Sequence, residues 1–186
     1  MCALQRPLTY DDLFDMPDDG QRREIIGGEL IVNPAPRRNH QDVSSELHGM
    51  LWEYFRSSGE GRVWAHPIDL YIGPNDVVQP DLIAIRATRL DIYRPEGMVV
   101  EPPDIVVEII SPSSQRMDRV SKMALYARFG VPEYWVVDPE QRTLTINVLN
   151  AGVYDQMVPA PDGTIASRAF PGLIVDPGDV FSGLDG

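Results

Sequence analysis

The chain is 186 residues long, with 43% hydrophobic and 24% charged residues, which suits a single globular domain spanning 1–186 and excludes wholesale disorder. No apolar run approaches the ~18–20 residues that cross a membrane, residues 1–10 lack the pattern of a secretory leader, and the lone Cys2 supplies neither an internal disulfide nor a thiolate zinc cage, so a cytoplasmic protein is expected. Acids outnumber bases 28 to 16, and the formal charge of −12 works against a nucleic-acid partner, which lysine and arginine would have to hold.

In chain order, Thr9 followed by Asp11 and Asp12 predicts a short N-capped helix at residues 9–14. Residues 23–32, two β-rich runs joined at Gly27-Gly28, predict a hairpin that Pro34 and Pro36 end. From residue 39 to 55 the apolar positions Val43, Leu47, Met50, Leu51 and Tyr54 recur at helical spacing, and Gly59 and Gly61 close the segment. Strand-like runs follow at residues 63–72, 77–85 and 104–111, with Asn75-Asp76 turning the first into the second. Residues 87–103 hold three prolines and read as a long connection near the site. The next helix is expected between Ser113 and Phe129, entered through Ser111-Pro112-Ser113-Ser114 and stopped by Gly130 and Pro132. A buried strand at residues 134–138, a hairpin at residues 143–149 and 152–158, and a returning tail at residues 170–181 complete the chain. Strand, helix and strand from Glu108 to Val137 form a crossover unit, which favours a parallel pair. The fold class is therefore α/β (α+β), a mixed sheet flanked by helices with additional β-hairpins.

Two of the strand-like runs each carry an acid among apolar neighbours: Asp81 with Ile83 and Ile85 on its face, and Glu108 with Val106 and Ile110. A carboxylate inside such a run is costly unless it is paired or bound to a metal. On neighbouring strands the two would converge and raise each other's pKa unless a cation intervened. Oxygen donors of this kind suit Mg²⁺ or Mn²⁺. Lys122, on the helix that follows, can be aimed at the pair. The same residues admit a plainer reading, an internal salt bridge of Lys122 with Glu108 or Asp81 that serves only the fold, or an Asp118–Lys122 pair on the helix surface.

The ordered set Pro80-Asp81, Glu108-x-x-Ser111-Pro112-Ser113, Asp118-x-x-x-Lys122-x-x-x-Tyr126 and Gly130-Val131-Pro132-Glu133-Tyr134-Trp135 resembles a large bacterial family of putative restriction endonucleases, formerly a domain of unknown function, within the PD-(D/E)XK nuclease superfamily. The similarity extends to Glu24, Gly28, Glu29 and the helix opening at His40, and so covers roughly residues 9–179. It implies a restriction-endonuclease-like mixed-sheet core, Asp81 and Glu108 as metal ligands together with the Ile109 carbonyl, and Mg²⁺ (or Mn²⁺) as cofactor. The superfamily pattern places a lysine two residues after the second acid, where this chain has Ile110; the resemblance implies that Lys122 has taken over that role. The implied function is metal-dependent hydrolysis of DNA phosphodiester bonds, with Lys122 acting electrostatically. The charge of −12 keeps open a reading from another class, a catalytically inactive member of the fold serving as a binding or scaffold module. Glycoside hydrolysis by the paired carboxylates is a third, with few candidate sugar-stacking aromatics outside the core.

Glu24, in the first strand of the N-terminal hairpin, is an auxiliary acid that the resemblance brings toward the metal, with Glu46 as its rival. His40, at the start of the first long helix, could touch a phosphate or be a satisfied helix-start histidine; His48 and His66 show no ligand spacing with it. Arg116, Arg119 and Arg128 join Lys122 in the most basic segment of the chain, either a phosphate-facing surface or a solvated face. Ser111 lacks a base at short spacing and reads as helix-entry chemistry; Tyr126 and Trp135 read as core, and Asp138 before Pro139 as a turn former. The apolar C-terminal hairpin and tail could supply the surface of a homodimer suited to double-strand cleavage.

Overall fold

A computed structural model of the chain describes residues 6–17, 19–65, 67–110 and 117–185, with only the backbone described at 117–119 and 185. Ser111, Arg116 and His66, and the side chains of Asp118 and Arg119, therefore lie outside the described residues. Among those residues no helix is long and apolar enough to cross a membrane.

The short helix α1 (Tyr10–Phe14) starts where expected, with the Asp12 carboxylate accepting the Thr9 N–H at 2.7 Å. Strands β1 (Arg22–Ile26) and β2 (Glu29–Asn33) form the predicted hairpin. Its two-residue turn needs positive φ at Gly27 (61°) and Gly28 (78°), and a Cβ on Gly28 would lie 2.4 Å from that of Pro7. Helix α2 (Arg38–Ser58) buries Val43, Leu47, Leu51 and Phe55, a stripe at spacing four in which each side chain is worth about 1.5–3 kcal/mol of burial. Gly59, left-handed at φ 71°, ends it.

The runs at residues 63–72 and 77–85 are each two strands rather than one. The first divides into β3 (Gly61–Ala65) and β4 (Asp69–Gly73), the second into β5 (Asp76–Val78) and β6 (Leu82–Arg86). A proline lies in each gap, Pro67 and Pro80, and having no N–H it cannot carry a ladder forward. At both breaks the chain changes sheet. With β7 (Met98–Val99), one sheet has the order β2-β1-β5-β4-β7. The other has the order β11-β10-β9-β8-β6-β3, adding β8 (Ile105–Ile109), β9 (Glu133–Asp138), β10 (Thr143–Asn150) and β11 (Val153–Gln156). The pair β8–β9 is parallel, as the crossover predicted, and its other neighbours are antiparallel.

Side-chain alternation divides the apolar residues of the six-stranded sheet between its faces. Leu82, Ala84, Val107, Ile109, Trp135 and Val137 join α2 and the tail on one face. Ile83, Ile85, Val106, Ile110 and Tyr134 join α3 (Met123–Phe129) and residues of the other sheet on the opposite face. A wide, π-type turn at Met117–Lys122 leads into α3.

The connection at residues 87–103 is not near the carboxylates. It leaves β6 after Arg86 and enters β8 before Ile105, whereas Asp81 and Glu108 lie toward the other ends of those strands. The tail, with strands β12 (Ile165–Ala166) and β13 (Ile174–Val175) and the short helix α4 (Pro177–Val180), packs into the chain's own core. Phe170, Leu173, Val175, Val180 and Phe181 are buried, so the surface expected to support a dimer is largely used internally, leaving Val153, Val158 and Ile174 exposed. Asp138 forms its turn by accepting the Glu140 and Gln141 N–H groups, both at 3.0 Å.

Candidate active site

The site lies where the chain passes from one sheet to the other through Gln79-Pro80-Asp81. Asp81 precedes β6 rather than standing inside it, and its N–H donates to the Val107 carbonyl at 3.1 Å, which sets it beside Glu108 of β8. Its carboxylate is built from three sides: Oδ2 accepts the Ile109 N–H at 2.7 Å and lies 3.2 Å from His40 Nε2, while Oδ1 accepts from Arg22 at 2.7 Å. Glu108 uses Oε1 for Lys122 Nζ at 2.9 Å and for the Tyr126 hydroxyl at 2.6 Å. Lys122 also donates to Glu24 Oε1 at 2.9 Å. Glu24 is fixed further by the Gln79 N–H at 2.7 Å and the Asn33 amide at 2.8 Å.

The structure therefore brings together Asp81, Glu108, Lys122, Glu24 and His40. Lys122 is buried between two acids rather than turned to solvent, so an exposed lysine does not describe it; the Asp118 side chain lies outside the described residues. Ile110, at the position where the superfamily pattern has lysine, is buried in the apolar cluster. From Ile109 the described contact is its N–H on Asp81. Glu46, the rival auxiliary acid, lies elsewhere, against Gly183 in the C-terminal turn. Arg128, from the basic segment, pairs with Asp76 at 2.9 Å.

Sequence reasoning missed Arg22. Its guanidinium is 2.7 Å from Asp81, 3.3 Å from Glu24 and 3.7 Å from Glu108 Oε2, and it also donates to the Gln79 carbonyl. The signal was present: Arg22 and Glu24 are two apart on one strand and so share a face. Tyr126 was read as core, and it is fully buried, but its hydroxyl is a positioning contact for Glu108.

Burial alone would raise the pKa of Asp81, yet the His40 hydrogen bond, the Arg22 charge and the Ile109 N–H outweigh it and hold the carboxyl well below its usual range. Glu24 behaves likewise: burial raises it, Lys122 and Arg22 lower it, and the net direction is down. Burial would lower Arg22, but its three acidic neighbours raise it instead. Tyr126 is pushed well up by burial and then by the Glu108 charge, so it donates its proton rather than losing it.

Among the described residues no cluster of three His, Cys, Asp or Glu side chains stands ready as a metal cage. What faces the centre is an oxygen set already gathered around a cation: Asp81 Oδ1, Glu108 Oε2, Glu24 Oε1 and the Gln79 carbonyl all approach the Arg22 guanidinium. Hard oxygen donors around one positive charge fit Mg²⁺ or Mn²⁺. Among the described residues, two buried polar atoms here lack a hydrogen-bond partner, Arg22 Nε and His40 Nδ1. The carboxylate side chains are only 1–3% exposed, and solvent reaches the centre through Arg22 at 19% and His40 at 12%.

No curated protein matches the sequence. A solved structure, the crystal structure of a "putative nuclease belonging to DUF820" from Anabaena variabilis ATCC 29413, shares the fold at a TM-score of 0.80. The two are 21% identical, with 96% of this chain and 99% of that one covered. The sequence pattern of the Uma2 family, described as "Putative restriction endonuclease", matches residues 10–178. The chain belongs to the Uma2 family of putative restriction endonucleases.

Proposed function

We propose that the protein is a divalent-metal-dependent endonuclease that hydrolyses phosphodiester bonds in DNA. The observation that carries this reading is the convergence of Asp81, Glu108 and Lys122 at the passage between the sheets, within the residues 10–178 that match the family. Asp81 and Glu108 would hold Mg²⁺ or Mn²⁺, with a backbone carbonyl of Ile109 or Gln79 as a further oxygen donor. When bound, such an ion polarises the phosphate and eases deprotonation of the attacking water.

The remaining work falls to the chain's own residues. Tyr126 and Lys122 both engage Glu108 Oε1, which leaves Oε2 turned toward the cation seat. The Ile109 N–H and His40 hold Asp81 in the same way by Oδ2. Lys122, fixed between Glu24 and Glu108, supplies a positive charge for the oxygen that becomes more negative as the P–O bond breaks. His40, near the opening, is placed to meet a phosphate. Arg37, exposed at the start of α2, adds positive charge beside this mouth despite the overall charge of −12, while its neighbour Arg38 pairs with Asp42 at 3.3 Å.

One observation favours the scaffold reading: the acids are already paired with Arg22 and Lys122, so the centre is electrostatically quiet without a metal. Cleavage of supercoiled plasmid and of oligonucleotides at low salt with Mg²⁺ or Mn²⁺ separates the two. Cutting by the wild type that is lost in Asp81→Ala and in Lys122→Ala supports the nuclease. No cutting with any divalent ion, together with no metal binding by calorimetry, supports the scaffold.

A further inference from the structure

The Arg22 guanidinium occupies the point on which the oxygens of three acids are trained. Its fit there is imperfect. Nε is buried without an acceptor, and the approach to Glu108 is a long 3.7 Å. A divalent ion in place of the guanidinium would bring two positive charges to the same oxygens where the arginine brings one. Arg22 is also the member of the cluster with the greatest access to solvent, at 19% of its side chain, so it has a way out. Lys122, 2% exposed and tied to two acids, does not.

We infer that Arg22 is a placeholder for the metal: its side chain fills the cation seat between Asp81 and Glu108 in the metal-free protein and must withdraw for a divalent ion to load. This rests on the metal-dependent reading above and adds to it a residue that sets metal affinity. Withdrawn toward the opening beside His40, the guanidinium is a phosphate-binding group at the mouth of the site. A seat filled by the side chain more than nine-tenths of the time weakens apparent metal affinity at least tenfold, because only the open fraction can bind.

The test is calorimetric titration of Mn²⁺ into the wild type, Arg22→Gln and Arg22→Lys, with thermal melts to confirm that each variant is folded. Arg22→Gln should bind Mn²⁺ at least tenfold more tightly than the wild type, with Arg22→Lys between them. Free guanidinium ion at tens of millimolar should weaken Mn²⁺ binding to Arg22→Gln by refilling the seat, an effect a merely structural arginine would not give. A wild-type crystal soaked in Mn²⁺ gives a check that needs no variant: anomalous density should replace the guanidinium between Asp81 and Glu108. Wild-type binding that Arg22→Gln leaves unchanged or weakens, or a soaked crystal in which Arg22 keeps its seat beside bound Mn²⁺, overturns the placeholder and leaves the nuclease standing. No Mn²⁺ binding by any of the three proteins overturns both.

Discussion

Lys122 has a role in stability that can be separated from any role in catalysis. It is 2% exposed and donates to Glu24 and Glu108 at 2.9 Å each. Lys122→Met keeps most of the stem's volume and removes the charge, leaving Arg22, at 3.3 and 3.7 Å, as the cation of both acids among the described residues. Breaking a buried pair by removing one partner costs about 3–5 kcal/mol. For a chain of this size that corresponds to a fall in Tm of about 6–20 °C. The sign of the pH dependence distinguishes charge from packing. Removing Lys122 takes away the charge that lowers the Glu24 carboxyl most, so its pKa moves up and the deficit relative to the wild type shrinks as pH falls. Melting followed by circular dichroism should therefore show a large deficit at pH 7.5 that shrinks toward pH 5. A fall of under about 2 °C at pH 7.5, or a deficit that is the same at both pH values, would refute this account of the lysine.

Further outcomes are open to direct measurement. In the wild type the shifts of Asp81 and Glu24 run downward, so the stability they contribute is complete above their unfolded values of roughly 4 and is lost as pH falls below them; acid titration of unfolding should show that loss, and Asp81→Asn should reduce it. Tyr126→Phe removes the hydroxyl donated to Glu108 at 2.6 Å and should cost about 1.5–3 kcal/mol in urea unfolding, with the m-value unchanged. Glu133 is fully buried and accepts from Trp135 Nε1, the Ser167 hydroxyl and the Arg168 and Ala169 N–H groups. Glu133→Ala strands those donors, so limited proteolysis should cut near residues 166–170 well before the rest of the chain.

The site was legible where residue type and periodicity coincide. Glu108 stands in an all-apolar strand, and period-two alternation places it on the face of Val106 and Ile110, where Lys122 and Tyr126 are found. Asp81 was legible as a buried acid, but the break at Pro80 that makes it a passage residue was read as continuous strand, because the apolar run resumes at once on the far side. Arg22 escaped notice because its role depends on β1 pairing with β5, a contact between residues some fifty positions apart. The tail was harder to place for a related reason: its apolar residues read equally well as an outer surface or as a lining until their packing against α2 is seen.

The passage at Gln79-Pro80-Asp81 makes the charged centre a seam. Arg22 and Glu24 come from the five-stranded sheet, Glu108 from the six-stranded one, Lys122 from the turn over it and His40 from the helix on its other face. Arg22 and Glu24 share one strand, but among the described residues Asp81 and Glu108 find their cations from the other sheet, the turn and the helix. Full pairing of these acids therefore needs both sheets in place, because their partners come from both. A mispaired β1 would take Arg22 away from Asp81 and Glu108 and Glu24 away from Lys122, a penalty against wrong registers. The same cluster of charges thus also proofreads the assembly of the fold.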